Sequence, residues 1–139
     1  MAVVDATNLL LGRMASVIAK RALKGEKIDI VNCEKAVVSG NKNHLVALYT
    51  QKQRRGNPFR GPFFPKQSDR ILRRTIKGML PHRKAHGREA FERVMCHIGV
   101  PEKLKNEKME TIEIASVSKL PLRRCVALGE IAKLIGGKV

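Results

Sequence analysis

The apolar positions fall into short runs and helical stripes. Ala2 to Val4 is an apolar run that stops at Asp5 and predicts a strand. Leu11, Met14, Ala15, Ile18 and Ala22 then recur at the spacing of one helical face, with Thr7 or Asn8 placed to cap the helix and Gly25 to end it. KIDIVN (27–32) and KAVVSG (35–40) are two further β-rich runs. A strand that feeds a helix and returns to a strand favours a parallel pair with a right-handed crossover. This order predicts the α/β class.

A second helix is expected from Asn43 towards Gln53, with Leu45, Leu48 and Tyr49 inward. RGNPFRGPFFP (55–65) follows, with three prolines and two glycines in eleven residues, a composition that breaks both helix and strand. It predicts a loop shaped by proline rings and anchored by Phe59, Phe63 and Phe64, with Ser68 as the N-cap of the next helix. Over residues 69–80, Ile71, Leu72, Ile76, Met79 and Leu80 form an apolar side. Arg70, Arg73, Arg74 and Lys77 form a wholly basic stripe at i, i+3, i+4 and i+7. Only Asp69 is placed to pair along this helix, with Arg73. Pro81 ends it. EAFERVMCHI (89–98) predicts a fourth helix with Phe91, Val94, Met95 and Ile98 on one face, GVPEKLKNEK (99–108) a surface connection, and METIEIAS (109–116) a strand. A last helix is expected from about Arg123 to Ile135. Neither repeats nor a dividing linker interrupt the pattern, so a single domain over 1–139 is expected.

Charge changes the picture more than hydropathy does. The chain carries 28 Lys and Arg against 12 Asp and Glu, a formal net charge of +16, with 43% apolar residues. That apolar share argues against wholesale disorder, and the charge points to a polyanionic partner. Twelve of the basic residues lie between Gln51 and Arg88, against the single acid Asp69. Crowding like charge destabilises a compact fold, so this segment predicts the contact surface.

Other chemistry finds little support. The first turn has one glycine, Gly12, and not the spaced set that admits a pyrophosphate; SGNKN (39–43) is no better. His82 and His86 have the spacing of helical metal ligands but lack a third ligand, and Arg83, Lys84 and Arg88 would repel a divalent cation. These imidazoles either donate to phosphate or stack on bases, or are simply exposed. Asp5, at the end of the first strand, fits a cap or turn better than a catalytic acid. Cys33, Cys96 and Cys125 are odd in number and widely spaced, and are expected as reduced, buried or half-buried residues. No cofactor, small-molecule substrate, metal or catalytic residue is expected. With no apolar run of bilayer length and no signal-peptide pattern at the N-terminus, a cytoplasmic protein is expected.

Among polyanions, a membrane would need the apolar face of helix 69–80, which the core claims. DNA readers show a docking unit that this sequence lacks. An arginine-rich, proline-stiffened loop joined to a basic helix suits folded RNA, because the guanidinium binds phosphate bidentately and also stacks on bases. The competing readings are a nucleotide-dependent enzyme, resting on Gly12 and Asp5, and a DNA-compacting protein, resting on charge alone.

The opening DATNLLLGRMASVIAKRALKGEKIDIVNCE, the SGN turn at Ser39–Asn41, NPFRGPFFPKQSDRILRRTIKGMLPHRKAHGREAFERV and the IGVP at Ile98–Pro101 closely resemble the ribosomal protein L13 family of the large subunit. The resemblance implies a three-layer α/β/α fold around a mainly parallel sheet of about four strands. It also implies a structural role in the large subunit, with 23S-type ribosomal RNA and neighbouring ribosomal proteins as partners and a part in subunit assembly. The family's RNA-facing segment maps onto Arg54, Arg55, Arg60, Lys66, Arg70, Arg73, Arg74, Lys77, Arg83, Lys84 and Arg88; His82 completes the candidate set. QKQRRGNPFRGPFFP stands where bacterial members have a glycine-rich HTGYPGG-like loop, which resembles the archaeal and eukaryotic branch. Eukaryotic members carry a long C-terminal helical extension beyond the point where this sequence stops, so an archaeal source is expected.

Overall fold

A computed structural model describes residues 1–121 and 124–137. Its elements are β1 (Ala2–Asp5), α1 (Leu11–Leu23), β2 (Ile28–Val31), β3 (Val37–Ser39), α2 (Lys42–Arg54), α3 (Ser68–Met79), α4 (Ala85–Glu92), β4 (Val94–Cys96), β5 (Met109–Glu110), β6 (Cys125–Ala127) and α5 (Leu128–Leu134). The central sheet has the order β4-β2-β1-β5, and all its pairings are parallel, with Val4 opposite Ile30 and Ile30 opposite Cys96. The strands bury residues on both sides, as parallel sheets do. Val4, Ile28 and Ile30 face a core built with α1, α3 and α5. Val3 and Val31 face the other way, against Leu104 of the turn at Glu102–Leu104 and Val100 just before it. The result is the expected three-layer α/β/α arrangement, with a thin second covering layer.

Helix α1 forms because its apolar stripe has helical spacing and its alanines let it approach closely. Met14, Ala15, Ile18 and Ala22 are fully buried. Gly25, at φ 98°, turns the chain out of it. Neither Thr7 nor Asn8 caps α1: Leu10 holds that position without a side-chain hydrogen bond. Thr7 is drawn to Asp5 instead, whose Oδ1 accepts from the Thr7 amide (3.0 Å), the Thr7 hydroxyl (2.7 Å) and Asn32 Nδ2 (2.9 Å). Burial alone would raise the Asp5 pKa, but the hydrogen bonds from Asn32 and Thr7 outweigh it and hold the carboxyl below its ordinary value. Asp5 is a turn residue tying the ends of β1 and β2 together.

Three expectations about elements need correction. Helix α4 ends at Glu92, and Val94–Cys96 is a strand. Its apolar run fits either period, and pairing with β2 decides it: Ile28 donates to Arg93 O and His97 to Ile30 O. Residues 109–116 form only a two-residue strand before a 3-10 turn at Glu113–Ala115. The KAVVSG run does supply a strand, and β3 pairs antiparallel with β6 in a separate ribbon. The last helix starts at Leu128, after that strand; Arg123 lies outside the described residues. The three cysteines are reduced and buried or half-buried, as expected. Cys33 meets Cys96, and this neighbour, followed by burial, pushes the Cys33 thiol well above its ordinary pKa, with both residues reduced.

Candidate nucleic-acid interface

Helix α3 is the keel of the basic segment. Ile71, Leu72 and Ile76 are fully or almost fully buried, and Leu80 just beyond the helix closes the apolar side. Met79 belongs outside it, at 43% exposure. Arg70, Arg74 and Lys77 are exposed, whereas Arg73 is half-buried. Its guanidinium carbon lies 4.7 Å from the centre of the Phe91 ring of α4, where Lys77 Nζ also reaches, at 5.8 Å. The expected Asp69–Arg73 pair does not form: Asp69 Oδ1 and Arg73 Nε are both shielded from solvent and lack hydrogen-bond partners among the described residues. Ser68 is not the N-cap either. Gln67 takes that place, and the buried Ser68 hydroxyl has no partner among the described residues.

The loop between α2 and α3 is fastened at two points. Asn57 and Gly61 exchange main-chain hydrogen bonds of 3.1 and 2.8 Å, and the Asn57 side chain accepts from the Phe59 amide at 2.9 Å. Only glycine fits at Gly56, where φ is 96° and a Cβ would stand 2.3 Å from Gly61 O. At the second point Arg74 Nη1 donates to Phe63 O at 3.0 Å, and its guanidinium lies 4.8 Å from the Phe64 ring centre. Phe64 in turn meets Tyr49 edge-on, centroids 5.8 Å apart. Of the three phenylalanines expected to anchor the loop, only Phe64 does so. Phe59 is 92% exposed and Phe63 71%.

These contacts frame a cleft of about 350 Å³ lined by Tyr49, Lys52, Arg55, Pro62, Phe64 and Arg74. Lys52 was missed as a site residue. It lies 5.0 Å from the Tyr49 ring and 5.8 Å from the Phe64 ring, and its position three residues after Tyr49 on α2 was the signal available. Burial raises the Tyr49 pKa, so its hydroxyl stays neutral near physiological pH. A second hollow of about 250 Å³ brings together Lys77, His82, Arg88, Phe91 and Glu92. Arg74 and Lys77, one turn apart on α3, therefore each line one hollow. Arg54, Arg60, Arg70, Arg83, Lys84 and His86 are exposed around them. Lys66 is exposed too, with its main chain packed against Gly137 after α5.

The ion pairs among the described residues all lie away from this face's candidate cations. Arg21 pairs with Glu26 and Glu110, Lys42 with Glu130, Arg93 with Glu89, and His97 meets Asp29 at 2.9 Å. Among the described residues, none of the twelve candidate side chains has an ion-pair partner. No helix there is long and apolar enough to cross a membrane, and no group of acids, cysteines and histidines could hold a metal.

Residues 1–103 match the family model described as Ribosomal protein L13. The chain belongs to the ribosomal protein L13 family. It is 45% identical over 139 residues to the large ribosomal subunit protein uL13 of Methanosarcina barkeri, covering 99% of both chains. Similarity to the uL13 proteins of Methanopyrus kandleri (45%) and Archaeoglobus fulgidus (42%) spans 96% of this chain and 86% of each relative. All three relatives are archaeal, in line with the expected source, and the family model runs through α1, the basic loop, α3 and α4.

Proposed function

We propose that this protein is a structural constituent of the large ribosomal subunit that binds large-subunit ribosomal RNA through its 51–88 face. The carrying observation is the density of cations from Arg54 to Arg88, which have the single acid Asp69 in their segment and no ion-pair partner among the described residues. An RNA backbone supplies the missing charge, and the loop, α3 and the turn before α4 offer an irregular surface suited to converging RNA helices. Neighbouring ribosomal proteins would contact the remaining surface. Asp5, the one carboxylate an enzyme of this class could use, is consumed by its hydrogen bonds to Thr7 and Asn32.

The test is sedimentation of the protein from lysate of its source cells, before and after a high-salt wash. Recovery in stoichiometric amounts with large subunits is the expected result. Recovery at the top of the gradient, or equal affinity for duplex DNA and protein-free large-subunit RNA, would overturn the reading.

A further inference from the structure

Two phenylalanines at the tip of the basic loop stand in solvent for no reason the fold supplies. Phe59 precedes Arg60 inside the turn that Asn57 and Gly61 close, Phe63 lies two residues beyond it, and neither ring has an aromatic or cationic partner among the described residues. The turn is nonetheless built. Asn57 holds it from inside, the Gly56 position excludes a side chain, and Arg74 clamps the carbonyl of Phe63. Gly61, at φ 82°, leaves room for the Phe63 ring, which lies 3.2 Å from where a Cβ would stand. A disordered loop could turn its rings inward at little cost; this one is held with them outward.

We propose that the tip is a base-stacking wedge: Phe59 and Phe63 seat against unpaired nucleobases of RNA while Arg54, Arg55 and Arg60 hold the adjoining phosphates. This rests on the RNA-binding reading and deepens it, naming unstacked nucleotides as what the loop recognises. Charge decides the occupant. An apolar pocket on a protein would have to accept rings surrounded by exposed arginines, with no acid in the loop to balance them. A nucleotide presents an aromatic face and an anion together, and a ring stacks on any base.

The chain has no tryptophan, so Phe63→Trp gives a single reporter. Binding of this variant to protein-free large-subunit RNA of Methanosarcina barkeri is followed by filter retention and by tryptophan emission in the same titration. Emission should fall in step with retention. Phe59→Ala/Phe63→Ala and Phe59→Leu/Phe63→Leu should each weaken binding by about tenfold or more while leaving the salt slope unchanged, because stacking releases no counterions. Retention with constant emission, or leucine variants that bind like the parent, would remove base stacking and leave the RNA-binding reading standing. Absence of retention in every variant and the parent would overturn both.

Discussion

Arg74 holds Phe64 in place from the neighbouring helix, with its guanidinium 4.8 Å from the ring centre and Nη1 on the carbonyl of Phe63. A residue on the basic stripe of α3 is thus also the fastener of the loop before it. Arg74→Ala should lower stability modestly, by about 1 kcal/mol for an exposed cation–π contact and one hydrogen bond. It should raise trypsin cleavage at Arg55 and Arg60 by much more, since the loop is freed without unfolding the core. Arg74→Lys keeps the charge but not the planar fork, and should restore little of the protection. Equal cleavage rates in all three proteins would show that Arg74 does not hold the loop.

Gly87 makes the next test. It sits in the first turn of α4, where a Cβ would stand 2.2 Å from Pro81 O and 2.4 Å from Pro81 C. Backbone cannot yield as the end of a flexible side chain can. Gly87→Ala should therefore cost about 1–3 kcal/mol, as overpacking does, despite the better helix propensity of alanine. The urea midpoint measures it. An unchanged or higher midpoint would mean that α4 moves freely against the turn at Pro81.

What the chain revealed in advance, and what it hid, divides along physical lines. Helix α1 and the basic helix were legible because a long stripe at 3.6 spacing has few alternatives, and β1-α1-β2 followed from topology. Val94–Cys96 was hidden because a three-residue apolar run satisfies both periods, and only the edge of β2 selects the strand. The pairing of β3 with β6 joins segments about ninety residues apart, for which local pattern carries no signal. The site was legible as charge and illegible as geometry. Composition singled out the basic segment, but not that Arg73 and Arg74 are spent partly on Phe91 and Phe64, nor that Phe59 and Phe63 face outward.

Acid should destabilise the protein partly through Asp5. Its folded pKa lies below the ordinary 3.8, so as pH falls the unfolded chain takes up the proton first. The contribution is complete above the ordinary value and is lost as pH drops through the lowered folded value. Asp5→Asn keeps an acceptor for Thr7 and Asn32 but not the charge. It should be less stable than the parent at pH 7, with the gap closing below about pH 4. Urea midpoints from pH 7 to acid measure this; a gap constant with pH would assign the effect to geometry and not to ionisation.

Charge reversal can separate binding from folding only at the right positions. Reversing Arg73 and Arg74 removes the cations that rest on Phe91 and Phe64, so that variant should melt earlier as well as bind RNA more weakly. Arg54→Glu and Arg83→Glu are cleaner, since both side chains are exposed and make no hydrogen bond or ion pair among the described residues. If six to ten phosphates are contacted, raising salt from 50 to 200 mM should weaken the parent's binding by about 10³–10⁵-fold. Each reversal that removes one phosphate contact should flatten the slope of log affinity against log salt by about 0.7–0.9. The melting temperature should stay where it was. Weaker binding with an unchanged slope would mean that the substituted side chain acts on the shape of the loop and touches no phosphate.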